Sequence, residues 1–158
     1  EVLRRARGLM TRRNVSNIVW KKGELTQLPL PNESVDVALL SQALHHTENP
    51  DQALQEAYRV LRPTGRVLIL DLREHEEIWV RDRFGDVQMG FSNRNLEKLL
   101  RFSGYSKVKV DIGAKRTGDP FTVLIASGVR PGNPSVRHKR NRSLKLSSNK
   151  GASHRERH

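Results

Sequence analysis

The stretch from Gly23 to Asp71 constrains the fold more than any other part of the chain. It contains two short apolar segments, Val35 to Leu40 (VDVALL) and Val67 to Leu72 (VLILDL), with a helical pattern between them. Both segments are rich in β-branched and aliphatic residues, which is typical of strands that are covered on both faces. They predict two neighbouring strands of a parallel sheet.

The segment between these strands carries several helix signals. Asn49 is suited to the N-cap, Pro50 to the first helical position, and Gln52 to the second half of a capping box. Pro63 and Gly65 interrupt the helical pattern further along. The apolar residues that share one helical face are Ala53, Leu54, Ala57, Tyr58 and Leu61. The unit is therefore predicted as strand, helix, strand, with a right-handed crossover.

Further elements are predicted on either side of this unit. Residues 1–13 have apolar residues at helical spacing, and Asn17 to Lys21 (NIVWK) is predicted as a strand. Residues 92–104 predict a helix that Ser92 caps and Gly104 ends. Lys107 to Ile112 alternates like a half-buried strand, and Phe121 to Ser127 has the pattern of a more buried strand.

Composition excludes some chemistries and separates the chain into two parts. The chain has no cysteine, which excludes disulfides, thiolate metal sites and a cysteine nucleophile. No apolar run approaches the length that crosses a bilayer, so a soluble, cytoplasmic protein with no membrane partner is the expectation. Residues 131–158 contain eight Lys/Arg and one Glu. This basic, polar segment is predicted to be a disordered tail, which would bind nucleic acid only nonspecifically, if at all.

The sequence of residues 23–71 resembles the middle of a class I S-adenosylmethionine-dependent methyltransferase. The likeness is to the small-molecule type that includes the ubiquinone/menaquinone-biosynthesis enzymes. Residues 70–105 (LDLREHEEIWVRDRFGDVQMGFSNRNLEKLLRFSGY) resemble more narrowly the methyltransferase domains fused to arsenic-repressor-type winged-helix regulators. Together the two stretches carry the likeness over roughly residues 1–131.

The resemblance implies an α/β fold with a Rossmann-like, mostly parallel sheet that ends in an antiparallel strand pair. It also implies that residues 1–130 form a partial methyltransferase domain. The family's first two strands and its glycine-rich turn have no counterpart in the sequence, which contains no G-x-G. S-adenosylmethionine binding by this chain alone is therefore expected to be weak or absent.

The resemblance also assigns candidate cofactor contacts. Glu24 and Leu25 match the positions where the family places an acidic residue and an apolar neighbour beside the adenine. Ser41, Gln42 and Leu44 lie just past the carboxyl end of the Val35 to Leu40 strand, where open α/β sheets bind ligands. S-adenosylmethionine is the implied cofactor.

Four residues form the pool of candidate catalytic groups: His45, His46, Asp71 and His75. A histidine near the pocket is suited to contact the cofactor or to accept a proton. Two adjacent histidines without a further ligand at suitable spacing are a weak metal signal, so no metal is predicted. The charged run around His75 has a simpler interpretation as a solvated helix face, and Trp79 as either a pocket wall or a core residue.

The sequence therefore predicts methyl transfer from S-adenosylmethionine to a small-molecule acceptor. Two alternatives stay open. The chain is a non-catalytic methyltransferase remnant in the first, and the effector-sensing half of an arsenic-repressor-type regulator in the second. No helix-turn-helix pattern with a recognition helix is found in the sequence, which weighs against a complete regulator.

Overall fold

Strand pairing organises the chain. The computed structural model describes Arg4, Arg5, Gly8, Met10, Arg13 and residues 15–115 and 117–132. Within that part the ordered elements are β1 (Val35–Ser41), a 3₁₀ helix (Leu44–His46), α1 (Pro50–Val60), β2 (Leu61–Leu72), α2 (Trp79–Phe84), α3 (Asn93–Phe102), β3 (Ser106–Lys115) and β4 (Thr122–Val129).

The four strands form one mixed sheet in the order β1-β2-β4-β3. β1 pairs with β2 in parallel, with Leu40 opposite Ile69. β4 pairs antiparallel with both β2 and β3, so the described sheet ends in the predicted antiparallel pair. The α/β fold class is confirmed, although the β1/β2 pair is the single parallel pairing among the described strands.

The predicted first helix and second strand are present with different ends. β2 begins at Leu61 rather than Val67, because the Pro63–Gly65 segment forms an irregularity inside the strand instead of a loop before it. Asn49 is the N-cap of α1, but its side chain makes no capping hydrogen bond, so the predicted capping box is wrong. Instead, the Thr47 hydroxyl accepts the Asn49 N–H at 3.2 Å. The cap of α3 is confirmed, since Ser92 Oγ accepts from Asn95 N–H.

The predicted strand at residues 17–21 is wrong. This segment is irregular, and Val19 is 82% exposed. Strand propensity is realised only when a neighbouring strand supplies hydrogen bonds and packing, and no described strand pairs with this segment. Of the predicted N-terminal helix, Arg4, Arg5, Gly8 and Met10 are helical, and its other residues lie outside the described part. The predicted tail lies outside it beyond Gly132.

The core lies between one face of the sheet and the helices α1 and α3. Its fully buried side chains come from the sheet and from both helices: Leu54, Ala57, Leu61, Val67, Ile69, Leu96, Leu100, Leu124 and Ala126. The opposite face of the sheet is not covered by the described residues, since Val37 and Leu39 are 54% and 60% exposed. The expectation that both strands are covered on both faces is therefore not met within the described part.

Two further contacts tie the sheet to α1. The Tyr105 hydroxyl donates to the Leu54 carbonyl at 3.1 Å, and burial raises the pKa of Tyr105. Arg130, just after β4, donates from Nη1 to the carbonyls of Tyr58, Arg59 and Leu61. These bonds satisfy carbonyls at the C-terminal end of α1 that have no partner within the helix. None of the described helices has the length and hydrophobicity needed to cross a bilayer.

The two faces of the sheet should respond differently to truncation. Leu54 has no exposed surface, so Leu54→Ala should lower the free energy of unfolding by about 2–5 kcal/mol through lost burial and a cavity. Leu39→Ala, on the uncovered face, should change it by less than about 0.5 kcal/mol. Urea denaturation followed by circular dichroism measures both. Equal losses would show that the uncovered face is packed in solution.

Candidate functional site

Each strand of the parallel pair is followed by a cavity at its carboxyl end. The first, here the β1 cavity, has a volume of about 580 Å³ and is lined by Val19, Lys21, Gly23, Glu24, Leu25, Leu28, Pro29, Leu30, Gln42, Ala43 and His46. The second, the β2 cavity, has a volume of about 530 Å³ and is lined by Arg73, Glu74, His75, Glu76, Met89, Ser92, Asn93 and Thr122. Both are of a size typical of small-molecule sites.

The β1 cavity brings together several of the predicted cofactor contacts. Glu24, Leu25 and Gln42 all line it, although Glu24 and Gln42 are far apart in the sequence. Ser41 is exposed at the end of β1 but is not part of the lining. Leu44 has no exposed surface, so its side chain belongs to the hydrophobic core. Three of the five predicted residues therefore share one cavity.

Gln42 has an unusual backbone conformation at the edge of this cavity. Its φ is 50°, in the left-handed region that non-glycine residues rarely occupy. The Gln42 N–H donates to the Leu70 carbonyl at 2.8 Å, which extends the β1/β2 ladder by one residue. A non-glycine residue held in this region costs of order 1–3 kcal/mol, and such residues cluster at binding sites.

Two residues of α1, Glu56 and Arg59, hold the loop of residues 28–30 that forms the other wall of the β1 cavity, and are called the buttress below. Glu56 Oε2 accepts the Leu28 N–H at 2.9 Å. Arg59 donates to the carbonyls of Leu28 and Leu30 at 3.1 and 2.9 Å. Arg59 also bonds both carboxylate oxygens of Glu56, and this hydrogen bonding lowers the pKa of Glu56. The prolines of this loop restrict its backbone further.

Asp71 is a buried residue near the carboxyl end of β2 that contacts the turn after β1. It has no exposed surface. One carboxylate oxygen accepts the N–H groups of Ala43 and Leu44 at 3.2 and 2.9 Å. The other accepts the Leu72 N–H at 2.8 Å and lies 2.6 Å from His45 Nδ1. These bonds hold the turn after β1 against the end of β2.

His45 is buried as well, with 3% of its surface exposed. Burial alone would lower its pKa, but the hydrogen bond to Asp71 and the charges of Asp71 and Asp86 outweigh that effect and raise it. The two carboxylates therefore favour the protonated form of His45. Neither His45 nor Asp71 is exposed to a cavity, whereas the other two candidates, His46 and His75, line one cavity each.

Asp86 is a residue that the sequence analysis missed. It is 5% exposed and lies close to both histidines, with its Oδ1 3.6 Å from His45 Nε2 and 3.4 Å from His46 Nδ1. That oxygen is buried without a hydrogen-bond partner. The N–H groups of Val87 and Gln88 both donate to the His45 carbonyl, which fixes this loop against the 3₁₀ helix. No local pattern connects Asp86 with the histidines, since the contact exists only in the folded chain.

Among the described residues, His45, His46 and Asp86 form a cluster that could hold a metal ion. One ligand atom from each lies within 4.8 Å of the others. The sequence predicted no metal because the third group is distant along the chain.

His75 occupies a different environment in the β2 cavity. Its Nδ1 accepts the Glu77 N–H at 3.3 Å, and its buried Nε2 has no partner. The segment after β2 pairs with residues 89–91, where Gly90 has a φ of 79°. A Cβ on Gly90 would lie 2.5 Å from the Arg73 carbonyl oxygen, so only glycine permits this close approach.

The charged run around His75 is not a solvated helix face. Residues 74–78 are irregular, and α2 begins only at Trp79. Trp79 is 42% exposed, so it is not a core residue, and its ring lies against Phe84 and Phe121. Its Nε1 donates to Glu77 Oε2 at 2.6 Å.

The fold and the position of the cavities define a class: an α/β sheet with ligand-sized cavities at the carboxyl ends of its parallel strands. Comparison with known proteins agrees with this class. Residues 1–69 match the family described as "Methyltransferase domain". The structure is similar to the [4+2]-cyclase SpnF, with a TM-score of 0.67, 18% identity, and coverage of 81% of this chain and 62% of that one. It is also similar to an S-adenosylmethionine-dependent methyltransferase from Thermotoga maritima, with a TM-score of 0.57, 23% identity, and coverage of 78% and 68%.

Curated proteins with similar sequences include two methyltransferases. Malonyl-[acyl-carrier protein] O-methyltransferase of Methylococcus capsulatus is 32% identical over 65% of this chain and 40% of that protein. The ubiquinone/menaquinone biosynthesis C-methyltransferase UbiE of Ruegeria sp. is 36% identical over 35% of this chain and 22% of its own length. These findings confirm the resemblance to class I S-adenosylmethionine-dependent methyltransferases. The chain spans less than half the length of both relatives.

The raised pKa of His45 predicts how stability depends on pH. Protonated His45 stabilises the fold fully below about pH 6.5, the ordinary pKa of histidine. This contribution is lost as the pH rises through the raised value. The difference in free energy of unfolding between the parent chain and His45→Asn should therefore shrink from pH 5.5 to pH 8.5 in buffer with EDTA. Urea titrations at several pH values measure it.

Asp71→Asn serves as the companion variant, because it removes the main partner that raises the pKa. The pH dependence that distinguishes the parent chain from His45→Asn should be weaker in this background. A difference that is constant with pH in the parent background would contradict the assignment.

The buttress on α1 gives another prediction. Arg59→Met removes the bonds to the Leu28 and Leu30 carbonyls, so the amide hydrogens of Leu28 and Leu30 should exchange faster with solvent. Arg62→Met is the matched control, since Arg62 pairs with exposed Asp36 and does not contact this loop. Hydrogen exchange measured by mass spectrometry compares the two. Equal protection in Arg59→Met and the parent chain would show that the loop is held by other contacts.

Proposed function

We propose that this chain forms the adenosine-binding side of an S-adenosylmethionine-dependent methyltransferase that acts on a small-molecule acceptor. The observation that carries the proposal is the β1 cavity. It lies at the carboxyl end of β1 and gathers Glu24, Leu25 and Gln42, which the family resemblance assigns to the cofactor. Its volume of about 580 Å³ suits a nucleoside-sized ligand.

The donors and acceptors of the cavity fit an adenosine. The Glu24 carboxylate or carbonyl accepts from the exocyclic amine, and Leu25 covers the face of the ring. The strained backbone of Gln42 presents its side chain at the rim, which is the kind of conformation that binding sites retain despite its cost. The Glu56–Arg59 buttress keeps the opposite wall in place and so reduces the ordering cost of binding.

The chemistry of the step sets what the protein must do. When bound, S-adenosylmethionine supplies a methyl group on a sulfonium for in-line displacement by the acceptor. The protein contributes orientation and exclusion of water, and a base where the nucleophile carries a proton. His46, at the β1 cavity, and His75, at the β2 cavity, are the candidates that a substrate can approach. Since the Glu77 N–H occupies Nδ1 of His75 and its Nε2 is buried, His46 is the better placed of the two to act as a base.

Asp71 and His45 act as positioning residues in this proposal. Their buried network fixes the turn from Gln42 to His46, on which the cofactor contacts lie. The relatives methylate different acceptors by their names, so the proposal is limited to the acceptor class. Because the curated relatives described above are enzymes, a non-catalytic remnant and a regulator's sensing half are not favoured.

The proposal is tested by titrating the chain with S-adenosylhomocysteine and following backbone amides by NMR, which detects weak binding. The amides of Glu24, Leu25 and Gln42 should shift in a saturable manner. Gln42→Gly should weaken this binding by about tenfold, since it removes a side-chain contact while it relieves the backbone strain.

Thr64→Gly is the matched control. Thr64 also has a positive φ, of 70°, but lies in β2 away from the cavity lining. The Thr64→Gly variant should leave S-adenosylhomocysteine binding unchanged and should stabilise the fold about as much as Gln42→Gly does. The proposal is overturned if the cavity amides do not shift at high S-adenosylhomocysteine concentration. It is also overturned if both variants weaken the binding equally.

A further inference from the structure

We propose that His45, His46 and Asp86 bind one divalent transition-metal ion, with Asp71 holding His45 in the liganding orientation. The argument starts from Asp86. Its Oδ1 is buried without a hydrogen-bond partner, which is costly for a carboxylate unless something in solution completes the site. Two ring nitrogens lie close to it, His45 Nε2 and His46 Nδ1.

The distances within this cluster suit an ion better than direct hydrogen bonds. Asp86 Oδ1 lies 3.6 Å from His45 Nε2 and 3.4 Å from His46 Nδ1, beyond the usual range of about 2.7–3.2 Å for an N–H···O bond. Ligand bonds of about 2.0–2.1 Å to tetrahedral zinc place neighbouring ligand atoms roughly 3.3–3.4 Å apart. All three ligand atoms lie within 4.8 Å of one another, so small side-chain rotations complete the geometry.

The surroundings of His45 match those of a metal-binding histidine. Histidine ligands commonly donate their second ring N–H to a carboxylate, which fixes the tautomer and orients the ring. Here Nδ1 lies 2.6 Å from Asp71 Oδ1, which leaves Nε2 directed at Asp86. Asp71 is itself held by three backbone N–H groups, so the orientation is rigid.

The donor set indicates which ions fit. Two imidazoles and one carboxylate suit zinc, iron(II) or cobalt(II), whereas calcium and magnesium prefer oxygen ligands alone. The carboxylates of Asp71 and Asp86 balance the charge of a divalent ion that the two imidazoles ligate. His46 also lines the β1 cavity, so the ion would lie at the wall of that cavity, with a coordination position left for water or a ligand atom.

The inference does not depend on cofactor binding, because its readout is metal affinity. The test uses the full chain with the three histidines of residues 131–158 replaced (His138→Asn, His154→Asn and His158→Asn), which removes competing imidazoles. Calorimetric titration with zinc sulfate should show one equivalent bound per chain. X-ray absorption of the complex should show two imidazoles with zinc–nitrogen bonds of about 2.0–2.1 Å.

Two variants in this background separate a metal site from a structural cluster. His46→Asn and Asp86→Asn should each weaken zinc binding by at least about tenfold. Both are expected to fold, since the His46 side chain is 42% exposed and Asp86 Oδ1 makes no hydrogen bond. Circular dichroism of each variant checks this. His75→Asn is the matched control and should retain the parental zinc affinity.

The proposal is overturned by a folded chain that binds no stoichiometric zinc. It is equally overturned if His46→Asn and Asp86→Asn retain the parental affinity, or if His75→Asn loses as much.

Discussion

The hydrogen bonds of the buried Asp71 carboxylate are the interactions on which the carboxyl edge of this sheet depends. One side chain at the end of β2 accepts three backbone N–H groups and engages His45. A carboxylate without exposed surface is stable only when its lone pairs are satisfied in this way. The turn after β1 is therefore locked to the end of β2. Both cavities begin at these strand ends, so their relative placement follows from this bond network.

The rest of the site is arranged around that network by packing from α1. The helix buries Leu54 and Ala57 against the sheet and presents Glu56 and Arg59 to the loop that walls the β1 cavity. The helix thus has a core face and a face that supports the site. Backbone strain occurs at the cavity rim, in Gln42, and also away from it, in Thr64. The similarity in fold to both a methyltransferase and a [4+2]-cyclase shows that such a scaffold does not by itself define the reaction.

Local patterns were sufficient where the driving force is itself local. The period of the apolar residues predicted α1 and α3, and Ser92 capped its helix as expected. The alternation in residues 107–112 predicted β3. The predicted strand at residues 17–21 failed because a strand needs a partner, which no local pattern supplies. The early start of β2 was missed because Pro63 and Gly65 punctuate a strand irregularity here, not a loop.

The sequence by itself determined the class of fold, the strand ends at which the cavities lie, and the pool of polar residues near them. Tertiary structure decided which of them are accessible: Leu44, His45 and Asp71 are buried, whereas Gln42 and His46 line a cavity. It also brought Asp86 to the two histidines, although α1, β2 and α2 separate them along the chain. The physical reason is that burial and long-range contacts depend on how whole elements pack, whereas periodicity and capping act over a few residues.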